Sequence, residues 1–117
     1  MSEIKPPDFE EMLKMVETIR SLNNEVQALK VQLDVAEADT VRKATTDKTL
    51  SPDGKYLSVT FVNSTFKITG INGELVPKRL ELAKKSADLD KSYKILDIMR
   101  LQFEYWRTMQ ANQRQGF

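Results

Sequence analysis

The sequence predicts a mainly α protein with a small β element, laid out as long helix, β-hairpin, long helix and joined into a coiled-coil assembly. Three observations carry this. Apolar residues recur at heptad spacing through the first third of the chain. Two short central segments alternate apolar and polar residues, and a second heptad column runs down the last third.

The first helix is the strongest element. Met12, Ile19, Val26 and Leu33 recur every seven residues, and Met15, Leu22, Leu29 and Ala36 follow three places behind each. This 3-4 alternation is an a/d seam, a narrow stripe that must be buried against a partner helix. Its middle layers, Ile19/Leu22 and Val26/Leu29, place β-branched residues at a and leucine at d, a choice that favours two parallel strands. Met12, Met15, Ile19, Leu22, Val26, Leu29 and Leu33 are therefore the candidate oligomer interface. After a tail at 1–7, Pro6-Pro7-Asp8 marks the start: proline cannot extend a helix backwards, Asp8 can cap it, and Glu10-Glu11 suit the first turn. The pattern runs to about Ala44, roughly 55 Å of helix. Thr40 and Lys43 take the next a and d places, so the seam weakens and the end frays through Thr45-Thr46-Asp47, bounding the segment at 8–46.

Residues 47–76 read as a β-hairpin or meander. In Ser51-Pro52-Asp53-Gly54, proline presets φ and glycine accepts a positive φ, the chemistry of a turn. Tyr56 to Val62 and Thr65 to Ile71 then alternate with period two. Folding them about Asn63-Ser64 pairs Phe61 with Phe66 and Val59 with Ile68, so Leu57, Val59, Phe61, Phe66 and Ile68 share one face and form the hairpin's packing surface. Asn72-Gly73 begins a short third strand at Glu74–Val76. A hairpin alone is marginal in water, so its apolar face requires a cover, a second reason to expect an oligomer.

The second helix spans 77–113, with a tail at 114–117. Pro77 fits a first turn, and Leu82, Leu89, Leu96 and Phe103 repeat every seven residues. Their companions are Lys85 and Ser92 at first, then Met99 and Trp106. Ser86-Ala87-Asp88 is a point of bending. From Tyr93 to Met109 the apolar band is too wide for a two-stranded seam and implies contact with at least two neighbours.

Two long helices of equal length flanking a hairpin resemble the plan of the β-type subunits of prefoldin, a holdase chaperone whose hairpins form a platform and whose coiled coils are tentacles. The resemblance lies in layout and spans most of the chain. The strands depart from it in lacking the glycine that the family's hairpin carries. It implies a chaperone-like role through protein–protein contacts.

Composition excludes much chemistry. The 117 residues make one small domain, 40% hydrophobic and 30% charged, and no apolar run approaches the roughly 20 residues needed to span a bilayer. The first seven residues lack the apolar core of a secretory signal, and there is no cysteine, so the expected place is the cytoplasm or a particle assembled there. With no histidine either, the commonest general base, metal ligand and thiolate nucleophile are all missing. Asp88 and Asp90 point to different helix faces, and Gly54-Lys55 lacks the rest of a phosphate-binding loop. The expectation is no enzyme, no metal and no cofactor.

The net charge of +1 hides an asymmetry. Residues 1–39 hold nine acids and four bases, a balance of −5, and residues 40–117 hold fourteen bases and eight acids, a balance of +6. The basic half ends in Arg100, Phe103, Tyr105, Trp106, Arg107 and Arg114, a mixture of cations and rings of the kind that stacks on bases and meets phosphates. Arg100, Tyr105, Trp106, Arg107 and Arg114 are the candidate single-stranded nucleic-acid contacts, with Lys78, Arg79, Lys84 and Lys85 extending the track.

The function expected from these readings is a non-catalytic, homo-oligomeric scaffold or chaperone-like module whose partners are itself and another protein. The runner-up is a nucleic-acid-binding accessory factor, such as one serving phage-type recombination or packaging. A third reading is a structural component of a virus particle.

Overall fold

A computed structural model describes residues 6–115. Parts of the expected tails, residues 1–5 and 116–117, lie outside the described residues. The chain forms α1 (Phe9–Thr46), a short 3-10 turn (Lys48–Leu50), α2 (Val59–Thr65) and α3 (Val76–Gln115). No strand occurs among the described residues. Mainly α is therefore right and the β-hairpin is wrong, and with it goes the platform on which the likeness to prefoldin rests.

Local chemistry sets the helix limits. Asp8 caps α1, its carboxylate accepting from the amides of Glu10 at 3.0 Å and Glu11 at 3.2 Å. At the other end the hydroxyls of Thr45 and Thr46 donate back to the carbonyls of Val41 and Arg42. Asp47 caps the 3-10 turn through the Thr49 amide. The turn expected at Ser51-Pro52-Asp53-Gly54 is present, closed by the Gly54 amide on the Ser51 carbonyl, with Gly54 at φ 71°.

The predicted strands fail for identifiable reasons. Ser58 acts as a helix cap, its hydroxyl accepting from the Phe61 amide at 3.2 Å, and the chain turns into α2. Val59, Val62 and Phe66 stand at i, i+3 and i+7, a helical spacing hidden inside the period-two pattern. Val62, which had no place on the hairpin's inner face, is fully buried. Of the expected packing residues, Leu57 and Phe66 are half-buried, while Val59, Phe61 and Ile68 are exposed. The Phe61–Phe66 contact does form, edge to face at 6.3 Å, but around the end of α2. Gly70 and Gly73 then take φ values of 88° and 74°, which no continuous strand accommodates.

Gly70 is required where it stands. A Cβ there would meet the Glu74 carboxyl at 2.5 Å. That carboxylate accepts from the Ile71 amide at 3.1 Å and the Asn72 amide at 2.7 Å. Glu74's own amide, then those of Asn72 and Ile71, hold its carboxyl below the usual carboxylate range, with Lys43 adding to the effect. Gly70→Ala forces an L-residue into the left-handed region and displaces this carboxylate. A loss of about 1–3 kcal/mol is expected in urea unfolding. An unchanged midpoint would contradict this account of the loop.

The chain divides into two compact units, and each has its own core. One unit comprises the chain through Asn23 together with Ser86 onward. In it α1 and α3 run antiparallel, Phe9 lying by Phe103 and Val16 sharing a groove with Leu96. Ile19 and Ser92 are its buried seam positions. The other unit is Asn24–Lys85. There Glu25 meets Lys85 at 2.9 Å and Glu37 meets Arg79, again antiparallel. Val26 at 3% exposure, Leu33, Thr40, Ala44, Val62 and Leu75 form its core. Near the end of α1 the buried step lengthens from three to four, so Ala44 replaces the expected Lys43. Lys43 instead pairs with Asp39 at 3.0 Å. A straight helix with 3.6 residues per turn drifts away from a strict heptad in this way.

Candidate interaction surface

The seven residues of the expected oligomer interface sit on the inner side of α1. Ile19, Val26 and Leu33 are buried within the single chain, and Met12, Met15, Leu22 and Leu29 are half-buried. Seam positions on α3 are drawn in as well: Leu82, Leu89, Leu96, Met99 and Phe103 are half-buried. One chain thus supplies both halves of the seam. The helix expected over 77–113 is α3, running Val76–Gln115.

The candidate nucleic-acid residues are not held together as one surface. Phe103 stacks on Trp106 with centroids 6.1 Å apart and 29° between planes, and Phe9 meets Phe103 edge to face at 5.4 Å. Trp106 is half-buried, and its indole nitrogen is enclosed. Tyr105, at 61% exposure, points to solvent, as do Arg107 and Arg114. Arg100 lies 3.5 Å from Asp97. Of the extended basic track, Lys85 pairs with Glu25, and Arg79 belongs to the fold. The Arg79 Nε donates to the Ile68 carbonyl at 2.6 Å, while a terminal nitrogen donates to the Lys67 carbonyl at 3.2 Å and to Glu37. It ties the loop after α2 to α1. Lys78 and Lys84 remain exposed.

What the sequence reading passed over is a second apolar stripe on α1. Phe9, Leu13 and Val16 follow a 4-3 spacing of their own, offset from the seam, and all three are exposed, Leu13 at 66%. With Met12, Leu96 and Arg100 they wall a groove of about 470 Å³ in which, among the described residues, Arg100 supplies the only charge. On α3 of the same unit Ile98, Leu101 and Tyr105 form a further exposed 3-4 stripe. In the other unit a groove of about 460 Å³ separates α1 from α2, with Ala38, Val41 and Val59 as apolar wall and Asp34, Asn63 and Lys67 as polar rim. Val31 and Val35 are exposed on α1 in that unit. The spacing of Phe9, Leu13 and Val16 was a usable signal. It was overshadowed by the longer seam running through the same residues.

Among the described residues, no group of three or more acidic side chains is placed to hold a metal ion, and no helix is long and apolar enough to cross a membrane. Comparison with protein families, with curated proteins and with solved structures finds no match to this chain.

Proposed function

We propose that the protein is a non-catalytic helical assembly module, a homo-oligomeric scaffold or chaperone-like factor working through protein–protein contacts in the cytoplasm or in a particle built there. The observation that supports this reading is the pairing of a closed internal seam with exposed apolar stripes. Ile19, Val26 and Leu33 are covered by the chain itself, yet Phe9, Leu13, Val16, Ile98 and Leu101 stay in water at helical spacing. Scattered surface hydrophobics are ordinary, whereas an apolar stripe that walls a groove, as Phe9, Leu13 and Val16 do, is the mark of an interface. Association through them is a hydrophobic burial of roughly 25 cal/mol per Å² of apolar surface, opposed by the cost of bringing two bodies together.

A nucleic-acid role draws less support. Of the rings it would use, Trp106 is stacked on Phe103, and Arg79 and Lys85 are engaged by carboxylates. The test is the mass of the full chain by light scattering over a range of concentrations, with and without a short single-stranded oligonucleotide. An oligomer indifferent to the oligonucleotide is expected. A monomer at all concentrations would sink the assembly reading. A mass that rises with oligonucleotide and falls back in high salt would replace it with the nucleic-acid reading.

A further inference from the structure

The groove beside Phe9, Leu13 and Val16 has two unlike edges. On the edge facing α3 stands Arg100, whose link to Asp97 is an intrahelical pair at 3.5 Å with both side chains about two-thirds exposed. Such pairs contribute little, and a guanidinium has five donors, so this one retains capacity for another carboxylate. On the opposite edge, one step further round α1, stand Glu10 and Glu17, both exposed and seven residues apart. Glu17 touches Arg20 only at 4.0 Å, again between exposed side chains.

Resting on the assembly reading, we infer that the occupant of this groove is a second copy of the chain, laid parallel about a two-fold axis that runs along α1. The argument is charge complementarity. A two-fold axis parallel to the helices brings the Arg100 edge of each copy against the Glu10 and Glu17 edge of the other. Phe9, Leu13 and Val16 then meet their own counterparts as a short seam, with Leu13 at an a position and Phe9 and Val16 at d. A two-fold axis across the helices would set Arg100 against Arg100 and glutamate against glutamate, the like-charge arrangement that interfaces avoid. Arg20 takes the next a place, where two guanidiniums meeting would end the seam and fix its register. The interface is isologous, so it closes at two copies.

The test uses the full chain in sedimentation equilibrium, with circular dichroism to verify that helix content is kept. Leu13→Glu is expected to leave a monomer. Arg100→Glu is expected to weaken the dimer by about tenfold or more, because it sets a new carboxylate, beside Asp97, against Glu10 and Glu17 along each side of the contact. Adding Glu10→Arg and Glu17→Arg to Arg100→Glu restores the opposite charges and is expected to restore the dimer. The chain has no cysteine, so Val16→Cys gives a single thiol, which a parallel pair brings to its own counterpart and cross-links on oxidation. An oligomer unmoved by Leu13→Glu and Arg100→Glu overturns this inference and leaves the assembly reading standing. A wild-type chain that is monomeric throughout overturns both.

Discussion

Arg79→Ala is expected to lower stability by about 2–4 kcal/mol, a large share of the roughly 5–15 kcal/mol available to a small domain. One guanidinium serves two loop carbonyls, those of Ile68 and Lys67, and the carboxylate of Glu37 on α1. Glu37 keeps only 19% of its side chain in contact with solvent and Arg79 keeps 32%. Removing the cation therefore leaves a largely desolvated carboxylate without its partner, a costlier event than the loss of a surface pair. Arg79→Lys keeps the charge but not the fork, and is expected to recover only part of the loss. Urea unfolding of the three proteins measures this. Equal midpoints would mean that the loop after α2 is held by its apolar contacts alone.

The sequence made some of this structure legible and hid the rest for physical reasons. Helix starts and turns depend on near neighbours, so Asp8, Ser51-Pro52-Asp53-Gly54 and the seam through Ile19, Val26 and Leu33 could be read directly. The seam, however, states only that a partner helix is required. It does not state whose, and the chain's own α3 turned out to carry the complementary column, with Leu82, Leu89 and Leu96 half-buried. The link between Glu37 and Arg79 spans 42 positions and leaves no local pattern at all. As sequence, Arg79 is simply one more cation beside Lys78 and Lys84.

The candidate surface was missed for a different reason. Phe9, Leu13 and Val16 interleave with Met12, Met15 and Ile19, so a search for one periodicity absorbs both stripes as a single apolar helix. Only the burial of the inner column and the exposure of the outer one separate them. The same separation redirects any assembly contact. Side chains already covered within one chain are poor candidates for joining two, and Leu13 is better placed than Ile19 to do so.

Asn63→Pro is the second substitution with a large expected effect. In α2, which runs Val59–Thr65, residue 63 is helix interior. Proline there deletes an amide donor and drives its ring into the preceding turn, at a cost of about 3 kcal/mol or more. The damage would extend beyond seven residues, because α2 carries Val62 into the core of its unit and the loop held by Arg79 follows directly. The expected result is a lower unfolding midpoint with loss of helical signal, and amide exchange that speeds up first between Val59 and Phe66. A variant as stable as the parent chain would remove α2 from the fold.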